Sequence, residues 1–208
     1  MKTYIYVDGF NLYYRALINS PYKWLDLKAL FTQLLQPHHV ILKIKYFTAR
    51  VSGTPSDPNK PIRQVSYISA LEAFTPEVEI YYGHFLTHSK RARLVRPTPR
   101  QRYAYVIKTE EKGSDVNLAA HLITDAWLNV YDCAVVVSND GDLAQAMRLM
   151  KQHHNKTLGL VTPGTKTKPS PELAKHANFC KRIRTGVLRS SQLPDPIPGT
   201  KIHKPLEW

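Results

Sequence analysis

Ala134-Val-Val-Val-Ser138-Asn139-Asp140-Gly-Asp142-Leu143 sets small and β-branched apolar residues directly against a polar turn that carries two carboxylates. The apolar part is short and lacks polar alternation, which predicts a strand covered on both faces, as in a parallel sheet. It stops at Ser138, and Asp142 opens a helical pattern continued by Leu143, Ala146, Met147, Leu149 and Met150. Asp140 and Asp142 therefore fall at the carboxyl end of a central strand, where open α/β sheets hold their ligands. Two anions so close repel each other unless water or a cation screens them. Taken alone, Asp-Gly-Asp reads as a helix N-cap with an acid in the first turn. Acids at other predicted element ends shift the reading toward a shared site.

A chain of 208 residues can bury a full core, and its 43% hydrophobic and 22% charged content is that of a soluble globular domain. The apolar runs are too short to span a bilayer and the first residues enter a strand at once, so the expectation is cytoplasmic, with no membrane partner. Cys133 and Cys180 stand in no metal-ligand spacing and predict two reduced, buried thiols. Lysine plus arginine exceed aspartate plus glutamate by 29 to 16, a net charge of +13. That excess favours a polyanionic partner, nucleic acid before an acidic membrane surface.

Thr3 to Val7 predict the first strand, ending at Asp8-Gly-Phe-Asn11, with Asn11 able to cap a helical stretch from Leu12 to Leu17. Asp26 caps a second helix with Leu27, Leu30, Phe31, Leu34 and Leu35 inward, and Pro37 ends it. A strand over Ile44–Thr48, a loop over 52–61, a helix from Gln64 to Phe74 and a strand from Val78 to Phe85 follow. The helix should turn Val65, Ile68, Leu71 and Ala73 or Phe74 inward. Lys90, Arg91, Arg93, Arg96, Arg100 and Arg102 surround two prolines, which predicts a solvated loop that grips phosphates rather than a central strand. Tyr103–Lys108 predict a short edge strand.

Ser114 is the expected N-cap of the longest helix, to about Val130, with Asp115 on the buried stripe of Leu118, Ala119, Leu122 and Ala126. Asn117, His121 and Asp125 form a second, polar stripe, where His121 and Asp125 read as a solvated or mutually bonded pair. Thr157–Thr162 are the expected last strand of the sheet, followed by a polar loop over 163–171, a short helix from Glu172 to Ala177 and a strand-like run over Phe179–Ile183. From Pro194 the chain reads as an arm ordered only where it docks.

Alternating strands and helices predict a parallel sheet with helices on both faces. If the strands 3–7 and 134–138 are neighbours, Asp8, Asp140 and Asp142 meet at the point where strand order reverses, and Asp115 can reach the same place. Carboxylates so gathered raise one another's pKa values, and a hard divalent ion, Mg²⁺ or Mn²⁺, resolves the conflict with oxygen ligands. No dense His or Cys set favours zinc.

Val7-Asp8-Gly-Phe-Asn11, Lys112-Gly-Ser-Asp115-Val and Val137-Ser138-Asn-Asp140-Gly-Asp142-Leu143, in that order, resemble the NYN-domain branch of the PIN-like metal-dependent ribonucleases. The ending Leu188-Arg-Ser-Ser-Gln192-Leu-Pro with Lys204-Pro-Leu-Glu-Trp208 looks like bacterial members. The resemblance implies a three-layer αβα PIN-like (Rossmannoid) fold around a mainly parallel sheet, with residues 1–185 as the nuclease domain and 186–208 as a partly docked arm. It implies RNA cleavage, metal ligation by Asp8, Asp115, Asp140 and Asp142, and positioning by Asn11 and Ser138. Lys112 and the 90–102 cations would hold flanking phosphates, and Tyr13 and Tyr14 are open to either stacking or core roles. Two departures stand out. Many relatives carry an acid where this chain has His121, and glycine where it has Asn139. The expected partner is RNA, and pairing into a homodimer is left open.

The competing reading is an RNA-binding module on the same fold with weak or no catalysis. A phosphatase is disfavoured because Phe10 stands where such enzymes place a second acid. A dinucleotide-binding oxidoreductase is disfavoured because Asp8-Gly-Phe-Asn-Leu lacks the required glycine spacing.

Overall fold

The computed structural model describes residues 1–164 and 167–208. Among these, the strands are β1 (Lys2–Asp8), β2 (Val40–Ala49), β3 (Val78–Arg93), β4 (Tyr103–Lys112), β5 (Cys133–Val137), β6 (Thr157–Thr162) and β7 (Phe179–Arg182). They lie in the order β4-β3-β2-β1-β5-β6-β7, every neighbouring pair parallel except antiparallel β3 and β4. The helices are α1 (Gly9–Leu12, continuing as a π-turn over Tyr13–Leu17), α2 (Leu27–Leu34), α3 (Lys60–Phe74), α4 (Ser114–Trp127), α5 (Ala144–His153), α6 (Pro171–Ala174) and α7 (Thr185–Ser190).

Every residue of β5 is fully buried, as an unalternating Cys-Ala-Val-Val-Val run requires. Its faces still divide with period two. Val135 and Val137, with Ile5 and Val7 of β1, meet α2, α3 and α7. Ala134 and Val136, with Tyr6 of β1, meet α4 and α5. Burying each such valine contributes about 1.5–3 kcal/mol, so the strand is anchored from both layers. The result is the expected three-layer α/β architecture. From β1 the chain steps outward through β2 and β3; α4 then returns it to the other side of β1 as β5. Val7 pairs with Val137, so the strand order reverses between two strands that both end in polar residues.

Several local expectations change. The 90–102 segment is not a loop throughout: β3 continues to Arg93 and pairs with β4 from His84↔Lys112 to Arg93↔Tyr103. Only Val78–Gly83 face β2, so beyond His84 the two strands run out as a ribbon without a third strand. Arginines tolerate this because both faces of a two-stranded ribbon are wet. Strand β2 extends over Val40–Ala49 and α3 begins at Lys60. On α3, Tyr67, Ile68, Ala70 and Leu71 are buried while Val65 and Phe74 face out. The β7 strand lies beyond β6, so Thr157–Thr162 is not the last. Cys133 is buried, but Cys180 is exposed on that edge strand. In the loop over 163–171, residues 165 and 166 lie outside the described residues.

The C-terminal arm docks on the α2–α3 layer. The Trp24 indole N–H donates to the Pro194 carbonyl (3.0 Å), Ile197 is buried, and the Trp208 ring meets Trp24 and Tyr67 edge-on. No helix among the described residues is long and apolar enough to cross a membrane.

Candidate active site

Asp8, the last residue of β1, is 5% exposed. Its Oδ1 accepts from the Asn11 backbone N–H (2.8 Å), so Asp8 rather than Asn11 caps α1. Its Oδ2 accepts from the Ser138 hydroxyl (2.8 Å), one residue beyond the end of β5. Ser138 Oγ in turn accepts the Asp140 N–H at 3.0 Å. Relieved of capping, the Asn11 side chain crosses to β5 and accepts the Asn139 N–H (3.1 Å). Asn139 ties the turn to the next loop, its Oδ1 accepting the Ser170 N–H (2.7 Å) and its Nδ2 donating to the Lys168 carbonyl (3.2 Å). A glycine there would forgo both side-chain bonds. Asp140 caps the short turn Gly141–Leu143 by accepting the Asp142 N–H, and α5 starts only at Ala144.

The third side of the site comes from the start of α4. Gly113, in the left-handed region at φ 96°, is its N-cap, and Ser114 is already its first helical residue. Ser114 donates its hydroxyl to Glu111 (2.8 Å), and Glu111 also accepts the Ser114 N–H. This junction packs onto Gly83, where a Cβ would come within 2.5 Å of both Glu111 Oε1 and the Lys112 carbonyl. Any larger residue at Gly83 would push the acids away.

Asp8, Asn11, Asp115 and Asp140 line one open cleft with Phe10, Arg15, Phe85 and Glu111. Ser138 lies beneath it, bonded to Asp8, and exposed Asp142 stands close enough to act on Asp115. Burial pushes the Asp8 carboxyl above its usual range against the pull of its two hydrogen bonds, with Asp140 and Glu111 adding to the rise. Asp115 is pushed up to about 6, first by burial and then by Asp8, Asp140, Glu111 and Asp142. In a chain of net charge +13, none of these five acids has an ion-pair partner among the described residues. Six acids elsewhere do, Glu77, Glu79, Asp57, Asp125, Glu110 and Glu172 each meeting a lysine or arginine.

Among the described residues no three His, Cys, Asp or Glu side chains are gathered closely enough to hold a metal ion by themselves. Mg²⁺ ordinarily takes only one or two carboxylates and keeps several waters. The all-oxygen donors, the raised Asp115 carboxyl and the missing cationic partners therefore fit such an ion without a closed cage.

Glu111, Arg15 and Phe85 are cleft residues that sequence reasoning missed. Glu111 precedes Asp115 by one helical turn's worth of chain but belongs to a strand, so only the fold brings it in. The Asp125 reading is corrected as well. Asp125 is 7% exposed and bonded to Lys45 (2.6 Å) and to the Tyr6 hydroxyl (2.7 Å), with Lys45 also 3.3 Å from His121 Nδ1. It is neither solvated nor bonded to His121, because β2 places a lysine opposite it. His121 is held below its usual range by burial and by Lys45.

On the ribbon, strand alternation sorts the cations. Arg91 and Arg93 share a face with their partners Tyr105 and Tyr103, and Arg91 sits 4.1 Å over the Tyr103 ring. Lys90 faces the other side, and Arg96, Arg100 and Arg102 crowd the exposed tip. None of the six is ion-paired among the described residues. Lys112, at the ribbon's root, lies 3.5 Å from Glu110 and is outside the cleft lining.

The family model for the NYN domain matches residues 2–181. The chain belongs to the NYN-domain family. It is 33% identical over 235 aligned positions to 6-hydroxy-3-succinoylpyridine 3-monooxygenase HspA of Pseudomonas putida, a match covering 100% of this chain and 75% of that protein. A protein of unknown function from Vibrio parahaemolyticus shares the fold, with a TM-score of 0.55 and 18% identity over 88% of this chain and 93% of that one. NYN membership fits a nuclease-like cleft, and its carboxylates all come from the NYN-matched part of this chain.

Proposed function

We propose that this NYN domain is a metal-dependent endoribonuclease that hydrolyses RNA phosphodiester bonds at the acid cleft. The observation that carries the reading is the group of unpaired carboxylates at the sheet's reversal point in an otherwise strongly cationic chain. Of Asp8, Asp115, Asp140 and Asp142, one or two would ligate Mg²⁺ or Mn²⁺ directly and the others would hold its waters; the ion, when bound, would lower the pKa of a bound water and neutralise charge on the phosphate. Asn11 and Ser138 fix the geometry: the Asn11 backbone and the Ser138 hydroxyl hold both oxygens of Asp8, and the Asn11 side chain clamps β1 to the Asn139 turn. Exposed Arg15 at the cleft edge meets a phosphate oxygen of the substrate.

The ribbon supplies affinity. Arg91, Arg93, Tyr103 and Tyr105 offer charge and ring faces on one surface, a pairing that binds single strands without reading sequence. Lys90, Arg96, Arg100, Arg102 and Lys112 add contacts to the backbone. Cleavage of labelled single-stranded RNA with Mn²⁺, and its loss on chelation, tests the reading. Binding without cleavage would instead support the RNA-binding module.

The relative named a monooxygenase favours a second reading, hydroxylation of a small heteroaromatic acid by dioxygen and a two-electron donor. Incubating 6-hydroxy-3-succinoylpyridine with the protein, NADH and air, and following NADH oxidation, separates the two.

A further inference from the structure

A second cavity adjoins the acid cleft, and Phe10 and Tyr14 line both. An aromatic wall joins them. Phe85 meets Phe10 edge-on (5.8 Å), Phe10 stacks on Tyr14 (19° between planes), and Tyr14 meets Tyr13 edge-on at 5.3 Å. Trp208 of the docked arm forms part of the far side. The cavity's cations are Lys23, Lys60 and Arg63; Arg63 is taken up by Asp57, whereas Lys23 and Lys60 have no ion-pair partner among the described residues. Gln64 is committed too, bonding the Val51 N–H and the Ala49 carbonyl.

Tyr46 differs from these neighbours. It lines the cavity, is 7% exposed, and its hydroxyl has no hydrogen-bond partner among the described residues. Tyr6, Tyr67 and Tyr131, equally enclosed, all donate to an acceptor. That hydroxyl is not sealed off from solvent, so it is open to whatever enters the cavity, and the fold makes room for it. Gly9 has no Cβ, and one added there would lie 2.7 Å from the Tyr46 ring carbon that bears the hydroxyl. Burial and the nearby Asp8 raise the phenol's pKa and keep it protonated, a ready donor.

We infer that this cavity is a nucleotide subsite: it stacks the base next to the scissile phosphate against Tyr14, with the Tyr13 ring closing one side, bonds that base's edge through the Tyr46 hydroxyl, and meets its phosphate with Lys60 and Lys23. The inference rests on the hydrolytic reading and names where its substrate strand continues. Planar rings on aromatic faces, with cations at the edge, are the usual grip on single-stranded nucleic acid. A free aromatic acid shares that chemistry of ring and anion, so the test carries both.

The experiment is binding of AMP, UMP and nicotinate to the full chain without divalent metal, read by calorimetry. AMP or UMP should bind and nicotinate more weakly. Tyr46→Phe should weaken nucleotide binding about fivefold to tenfold, one hydrogen bond's worth, with the melting temperature unchanged or higher. Tyr14→Ala should weaken both nucleotides, and Lys60→Ala combined with Lys23→Ala should bring AMP down to the affinity of adenosine. Unchanged affinity in Tyr46→Phe and Tyr14→Ala, or a preference for nicotinate, overturns the subsite. Because neither metal nor cleavage enters the measurement, Tyr46-dependent binding in a protein that cuts no RNA would sink the hydrolytic reading alone. RNA cleavage with the same KM in wild type and Tyr46→Phe would sink the subsite alone.

Discussion

Asp8 and Asp125 are buried to nearly the same degree, 5% and 7% exposed, on the same side of the sheet, yet their surroundings are opposite. Asp125 has a lysine at 2.6 Å and a tyrosine hydroxyl at 2.7 Å. Asp8 has two hydrogen bonds, no cation among the described residues, and other carboxylates as neighbours. A buried acid with its own lysine is finished as structure. One held in place by neutral donors beside further acids carries an electrostatic deficit that a cation from outside can cancel. The two ends of α4 display the contrast within one helix, Asp115 at the top facing the cleft and Asp125 below facing Lys45.

The largest test of that contrast is Asp8→Asn, expected to lower Mn²⁺-dependent RNA cleavage by about 10⁴-fold, roughly 5 kcal/mol of barrier, with the melt no lower than wild type. Retained cleavage would remove Asp8 from the metal site. Lys45→Met should do the reverse. It strands Asp125 and should cost about 3–5 kcal/mol in urea unfolding. An equal loss from Asp8→Asn would erase the distinction. Arg91→Ala with Arg93→Ala should weaken single-stranded RNA binding and lower the salt slope of log K by about 1.4, roughly 0.7 per lost phosphate contact on a single strand.

The smallest effect concerns pH. Asp115 is raised from 3.8 to about 6 in the fold, so between those values the folded state binds more protons than the unfolded one. Stability without metal therefore falls as pH rises through that window and stays low above it. Asp115→Asn should raise the metal-free melting temperature at pH 7 by about 2–4 °C, roughly 1 kcal/mol once solvent screening is allowed for, and leave it unchanged near pH 3.5. Mn²⁺ should stabilise wild type at pH 7 and stabilise the variant less. A melt independent of pH in both proteins would contradict the arrangement.

The strand and the turn around Ser138 were legible because a fully apolar run that stops at a polar pair has few other readings. The same holds for Asp8 at the end of β1. The ribbon was misread because a two-stranded hairpin with both faces in water shows no hydrophobic period, and its arginines look like loop. Glu111 was invisible because its approach to Asp115 depends on an antiparallel strand and on the bare Cα of Gly83. Asp125 was misassigned because helical spacing tells which helix neighbours it has and nothing of the strand packed across from it.

By itself the sequence determined the layered α/β fold, the strand-end placement of Asp8 and Asp140, and the large positive charge. Periodicity, local capping and composition act over a few residues, and those are encoded in order along the chain. Which acids remain without a partner, which tyrosine hydroxyl is left unbonded and which arginines share a face were decided only when distant strands paired, since each depends on what packs against a side chain from elsewhere.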